Sequence, residues 1–263
     1  MNAIDIEKII AESEEELSAQ FKALEKIAYS NQCRVMEAFQ KSKIALRHFA
    51  ASSGYGYGDE GRDTLNALFA DIFGAEAALV SPNILSGTHA LTVGLFGLLR
   101  TGDTLFSVSG NPYDTLQEVI GGKDIGSLAD FGISFKKCEL KNGDFDTDAI
   151  REGLSDRTVK VVFIQRSRGY EWRDALSEEK IRKICSFVRS CGFTGCIFVD
   201  NCYGEFVETS EPTQNGADIC VGSLIKNPGG GIAPTGGYIV GKREYVDKIA
   251  GRLTAAYIVA EVG

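Results

Sequence analysis

Apolar and polar positions change rhythm once along this chain, and the change divides it. Up to about Lys43 the rhythm is helical: Leu17, Phe21, Leu24 and Ala28 recur at helical spacing, with Glu14, Glu15, Glu16 and Lys22 on the other faces. The pattern predicts helix from Ile4 to about Lys43, as one helix or two, with no proline or glycine before Gly54 and an apolar stripe suited to packing on the main body or on a partner subunit. From Thr64 onward, short continuous apolar runs alternate with amphipathic stretches. Strands are predicted at 77–80, 104–108, 133–135, 159–164, 196–200, 219–223 and 238–240, and helices at 65–73, 86–99, 113–120, 146–154, 177–191 and 244–253. Such alternation predicts an α/β fold of three layers, α/β/α, around a mostly parallel sheet. An N-terminal helical segment (1–50) would precede one large domain (51–263). Ligands of such sheets sit beyond the carboxyl ends of the strands, where Asp200 and Ser223 fall.

Composition narrows the function classes. With 263 residues, 44% hydrophobic and 24% charged, the chain has the make-up of an ordinary soluble globular protein. A net charge of −8 argues against a nucleic-acid surface, which needs a concentrated basic face. No run approaches the ~18 apolar residues of a membrane span. Asp5, Glu7 and Glu12 stand where a secretory leader would be basic and then apolar. The seven cysteines form no C-x-x-C pair and have only His48 and His89 to help them, so no structural zinc is expected. Free thiols in apolar elements behave as small hydrophobes, which points to a reducing cytoplasm.

The candidate chemistry lies between Asp200 and Gly237. An apolar strand ends in Asp200-Asn201. A second runs into Gly222-Ser223-Leu224-Ile225-Lys226, followed by Asn227-Pro228-Gly229-Gly230-Gly231 and Gly236-Gly237. An acid at one strand end, a lysine after the next and glycines clearing space around them suit pyridoxal phosphate. The lysine forms a Schiff base with the aldehyde, and the acid pairs with the protonated pyridine nitrogen. Each residue also has an ordinary reading, since strand-end aspartates cap turns and loop lysines are solvated. The assignment therefore needs support upstream. Ser86-Gly87-Thr88-His89-Ala90 opens a helix, whose N-terminus can hold a phosphate, with Ser86 and Thr88 adding hydroxyls and Gly87 allowing close approach. A plain serine cap is the alternative, and His89 reads as a packing residue. Tyr113 starts a helix at a strand end, placed to stack on the pyridine or to pack at the rim. The stretch 163–173 gathers three arginines and the only tryptophan. Arg166 and Arg168 suit a carboxylate or phosphate, or surface pairs with Glu171, Asp174, Glu178 and Glu179. Gly56, Gly58 and Gly61 spell G-x-G-x-x-G but follow a polar, helix-like stretch, which a dinucleotide fingerprint does not. Tyr55 and Tyr57 there read as binding residues on a loop.

Together, Val199-Asp200-Asn201 and Ser223-x-x-Lys226 resemble the pyridoxal-phosphate-dependent Cys/Met metabolism enzymes of the aspartate-aminotransferase fold, fold type I. Four ordered stretches resemble one branch of these, the methionine gamma-lyase / aluminium resistance proteins. They are Gly54-Tyr-Gly-Tyr-Gly-Asp-Glu-Gly-Arg-Asp63, Ser86-Gly-Thr-His-Ala90, Pro112-Tyr-Asp-Thr-Leu116 and Gln165-Arg-Ser-Arg-Gly-Tyr-Glu-Trp-Arg173. The resemblance implies roles: Lys226 as Schiff-base lysine, Asp200 as pyridinium partner, Tyr113 stacked on the ring, and Ser86, Gly87, Thr88 and Ser223 around the phosphate. It implies a homodimer or homotetramer in which Tyr55 or Tyr57 reaches the neighbouring subunit's cofactor. Gln165, Arg166 and Arg168 would meet the amino-acid substrate, in a motif that differs from that of the better-known lyases. The implied reaction is β- or γ-elimination on a sulfur-containing amino acid of the methionine, cystathionine or cysteine type. Transamination on the same fold is the rival chemistry. Family members carry a further C-terminal domain with an arginine for the substrate carboxylate. That domain would begin near Glu261-Val262-Gly263, which leaves a shortened, catalytically impaired cofactor-binding form as a second rival.

Overall fold

The computed structural model of the protein describes residues 5–52 and 58–255. The elements follow in the order α1 (Ile6–Glu16), α2 (Ser18–Lys41), α3 (Glu60–Phe73), β1 (Ala77–Ser81), α4 (Gly87–Leu98), β2 (Thr104–Ser107), α5 (Asp114–Gly121), β3 (Ser134–Lys137), β4 (Leu140–Lys141), β5 (Asp144–Phe145), α6 (Thr147–Leu154), β6 (Val159–Gln165), α7 (Glu178–Ser190), β7 (Cys196–Asp200), β8 (Ile219–Ser223), β9 (Gly237–Gly241) and α8 (Arg243–Leu253). Seven strands form one sheet in the order β1-β9-β8-β7-β6-β2-β3. Only β9 runs against its neighbours, antiparallel to β1 and β8; the other pairs are parallel. The fold is thus mixed α/β with a mostly parallel sheet.

Strands β7, β8 and β9 are buried along their whole lengths, which is why they read as continuous apolar runs. Helices cover both faces. On one, Leu91 and Leu95 of α4, Leu116 of α5 and Ile249 of α8 pack on Leu105, Phe163, Phe198 and Val221. On the other, Ile181, Ile184 and Val188 of α7 pack on Val162, Ile197 and Val199. Beside them, Leu68 and Phe73 of α3 and Ala38 of α2 pack on Cys220, Tyr238 and Val240. Fully burying one such side chain contributes about 1.5–3 kcal/mol. Two glycines bring α4 in close. A Cβ on Gly94 would stand 2.8 Å from the Phe198 ring, and one on Gly97 would stand 2.7 Å from the Ile249 Cα.

The N-terminal helical segment is two helices, parted at Leu17, whose N–H reaches the carbonyls of both Ser13 and Glu15. Of the two surfaces its apolar stripe could pack on, the main body is not one: Leu17, Phe21 and Leu24 are exposed, and α2 joins the core only through its later turns, with Val35, Ala38 and Phe39. The hairpin of β4 and β5 was not expected, since two-residue strands are too short to show a period.

All strands of the sheet except β9 end on one edge. Gln165, Asp200 and Ser223 are the last residues of β6, β7 and β8; Ser86 and Tyr113 cap the helices that follow β1 and β2.

Candidate active site

Asp200 is 1% exposed and stands beside Gln165 in the sheet register. Its Oδ1 accepts the Cys202 N–H at 3.0 Å, the local turn that aspartate side chains favour. The Cys202 thiol bonds the same carboxylate. Burial pushes the Asp200 carboxyl above the usual range, while the bonds from Cys202 and the charge of Lys226 act against the rise. The group is an acid in a dry environment, and a cation beside it would hold it ionised.

Lys226 follows β8 at the start of the turn 227–229. Its Nζ stands 3.9 Å from the centroid of the Tyr203 ring. Burial lowers the amine's pKa, but Cys202, Tyr203 and Asp200 raise it by more, so it lies above the ordinary lysine value. Burial also pushes the Cys202 thiol well up. That thiol is therefore neutral near pH 7, where Asp200 is the partner that matters. Asn227 Nδ2 donates to the Glu205 carbonyl at 3.0 Å and ties the lysine turn to the loop after Asp200. In that loop Tyr203 and Phe206 adopt φ of +69° and +62°, which costs a bulky side chain on the order of 1–3 kcal/mol.

The start of α4 closes the other side. Ser86 Oγ accepts the His89 N–H at 3.1 Å, as a serine cap does, and still has its own proton to donate. The N–H groups of Gly87 and Thr88, in the first turn, have no acceptor within the helix. A Cβ on Gly87 would stand 2.9 Å from Cys202 Sγ and 3.3 Å from Ser223 Cβ, so three elements converge there. Ser223 is fully buried, and its Oγ accepts the Ile225 N–H at 3.3 Å. Thr88 Oγ1 and the Tyr113 hydroxyl are 2.8 Å apart, while the Tyr113 N–H donates to Gln165 Oε1 at 2.8 Å. Burial pushes the Tyr113 phenol up to about 12; the Thr88 bond opposes this, and Asp200 and Cys202 add to it. His89 is a local brace whose Nδ1 accepts the Leu85 N–H at 3.1 Å, in keeping with its reading as a packing residue.

Two of the three expected substrate contacts are engaged by the protein itself. Gln165 is buried, with Oε1 on Tyr113 and Nε2 donating to the Ser167 carbonyl at 3.2 Å; it braces the start of α5. Arg166 is 3% exposed. It donates to the Leu176 carbonyl, Asn201 Oδ1, the Gly204 carbonyl and Glu208 Oε1, and Glu178 lies 2.7 Å from Nη1. The expectation of a substrate clamp is corrected for Arg166: such a group in a dry interior needs acceptors, and its own chain provides them. The pairing with Glu178 is real but buried, not on the surface. Arg168 is exposed, in a loop with Trp172, which is 99% exposed. Tyr55 and Tyr57 lie outside the described residues.

Sequence reading missed Cys202, Tyr203 and Glu205. Glu205 is buried, accepts from the Tyr238 hydroxyl at 2.8 Å and has an Oε2 without a hydrogen-bond partner. Burial raises its pKa to about 8. The available signal was position: all three follow a strand's carboxyl end, where a parallel sheet keeps its ligand sites.

A family model described as Methionine gamma-lyase matches residues 6–263. Among curated proteins, the uncharacterized protein YnbB of Bacillus subtilis (strain 168) is 46% identical over 262 residues, covering 98% of this chain and 62% of its own length. The crystal structure of a carbon-sulfur lyase involved in aluminum resistance from Clostridium novyi NT superposes with a TM-score of 0.93 at 46% identity, covering 97% of this chain and 62% of that one. This chain thus spans less than two thirds of either relative. The pyridoxal-5'-phosphate dependent protein YhfS from Escherichia coli shares the fold at 20% identity, with a TM-score of 0.61 over 87% of this chain and 58% of that one.

Proposed function

The chain belongs to the methionine gamma-lyase family, and on that footing we propose that it is a pyridoxal-phosphate-dependent carbon–sulfur lyase. Its substrate would be a sulfur-containing amino acid, and its reaction a β- or γ-elimination. The observation that carries this reading is the convergence of a buried acid, Asp200, and a lysine, Lys226, at the carboxyl ends of adjacent strands, close enough for each to bias the other's ionisation.

The residues present fit the cofactor. Asp200 is a dry carboxyl suited to a cationic pyridine nitrogen. Gly87 is bare where a Cβ would press on Cys202, so the first turn of α4 can be approached closely. The N–H groups of Gly87 and Thr88 and the hydroxyls of Ser86 and Ser223 are the donors a phosphate requires. When bound, pyridoxal phosphate supplies an electron sink for charge that develops at the substrate Cα.

The chain's own groups do the rest. Tyr113, held through its hydroxyl by Thr88 and through its N–H by Gln165, offers a ring face of fixed orientation. Asp200 would be the group that holds the pyridine nitrogen of the cofactor, its carboxylate backed by the Cys202 N–H. Lys226, left without a proton when the substrate amine displaces it, would take the proton from the substrate Cα as general base and hand it to the departing sulfur. We extend the reading to a homo-oligomer, which the exposed stripe of Leu17, Phe21 and Leu24 supports.

The test starts from the visible spectrum of the purified protein with pyridoxal phosphate, followed by borohydride reduction and mass spectrometry of the Lys226 peptide. A yellow chromophore fixed to Lys226, together with thiol and ammonia release from a sulfur amino acid, is the expected result. A chromophore fixed on a different lysine, or none, would overturn the assignment.

A further inference from the structure

Directly after Asp200 the chain turns from Asn201 to Gly204, closed by the Gly204 N–H on the Asn201 carbonyl at 2.7 Å. The third residue of this turn has a positive φ, a place usually left to glycine, yet here it is Tyr203. Such strain persists only where the surroundings over-determine it, and it gathers at functional sites. The surroundings here are explicit. Arg166 Nη1 holds both Asn201 Oδ1 and the Gly204 carbonyl at 2.8 Å, and Asn201 Nδ2 donates to Glu211 at 3.0 Å. From the other side, the residue after Lys226 donates to the Glu205 carbonyl. Core packing does not account for the ring, which is 62% exposed. What the strained backbone achieves is a ring face 3.9 Å from the Lys226 amine.

The geometry points to Tyr203 as a positioning residue for Lys226: its ring is the docking face on which the amine rests in the cofactor-free protein. There the amine waits as a cation inside the site and does not swing into solvent. This rests on the reading of Lys226 as the covalent lysine. An ammonium over a partly exposed ring shifts its protonation equilibrium by about three- to tenfold.

The experiment uses cofactor-free protein. Competitive acetylation across pH, read by mass spectrometry of the Lys226 peptide, compares the wild type with Tyr203→Phe, Tyr203→Leu and Tyr203→Gly. Tyr203→Gly suits the positive φ, so it tests the ring without disturbing the turn; thermal melts verify that each variant is folded. Tyr203→Phe keeps the ring and should label closer to the wild type than to the other two variants, losing only the hydroxyl's own share of the contact. Tyr203→Leu and Tyr203→Gly should label Lys226 about three- to tenfold faster at a fixed pH below the midpoint, with Lys180 unchanged. Superimposed curves for all four proteins overturn the positioning role alone. An equal shift in Tyr203→Phe also overturns it, since the hydroxyl and not the ring would then be the contact. A wild type whose Lys226 is not fixed by pyridoxal phosphate and borohydride overturns the lyase reading, and the positioning role with it.

Discussion

Arg166 and Glu205 show two ways of keeping an ionisable group in a dry interior. Arg166 is met by four hydrogen bonds and an ion pair, which satisfy its donors. Replacing it with methionine strands Glu178 and Glu208, and should lower the unfolding free energy by about 3–5 kcal/mol, measured by urea denaturation. Glu205 has a hydroxyl on one oxygen and nothing on the other, and so retains its proton. Its folded pKa of about 8 exceeds the ordinary value of 4.5, so the folded state binds that proton more tightly than the unfolded chain does. Stability should therefore fall as pH climbs from about 4.5 through about 8, and Glu178, pushed up to about 7 by burial, acts in the same direction. Glu205→Gln mimics the neutral acid. Its unfolding free energy should fall less between pH 5 and pH 8 than that of the wild type, a difference on the order of a few kcal/mol read by urea denaturation at the two pH values. Neither behaviour was legible in the sequence. Arg166 meets partners 10 to 42 positions away, and its neighbours Glu171 and Asp174 suggested a surface cluster. Asp200 and Lys226 were legible because strand ends and glycine-rich turns are local signals.

At the scale of elements, α4 carries two kinds of glycine. Gly87 faces Cys202 and Ser223, whereas Gly97 faces the backbone of α8. Gly97→Ala should force α4 away from α8, cost about 1–3 kcal/mol in stability and leave cofactor affinity within a factor of two. Gly87→Ala should weaken pyridoxal phosphate binding at least tenfold, because its Cβ enters the proposed cradle; absorbance titration of both variants separates the effects. Helices α4, α6 and α7 were readable from their caps, with Ser86, Asp146 and Ser177 each accepting a first-turn N–H, whereas α3, expected from Leu65, starts at Glu60 behind the cap of Asp59. That the first segment could be two helices was legible, but the place of the break at Leu17 was not, because no proline or glycine marks it. Tyr203 escaped notice for a related reason, since a left-handed tyrosine leaves no trace in a pattern of residue types.

For the whole molecule, the apolar stripe on α1 and α2 has no cover among the described residues. If this face joins subunits, the wild type should sediment as an oligomer and a Phe21→Glu, Leu24→Glu double variant as a monomer. Because both side chains are already exposed, each change should alter stability by no more than about 0.5 kcal/mol. A monomeric wild type would rule out the shared-site arrangement.

Strand β9 also governs when this molecule becomes competent. It lies between β1 and β8 and is the partner through which β1, and with it the start of α4, joins the rest of the sheet. A ribosome delivers β1 well before β9, so the two halves of the pocket stay unregistered until β9 slots between them. Capture of the cofactor should therefore wait for that strand, and adding it during refolding should leave the rate of sheet assembly unchanged.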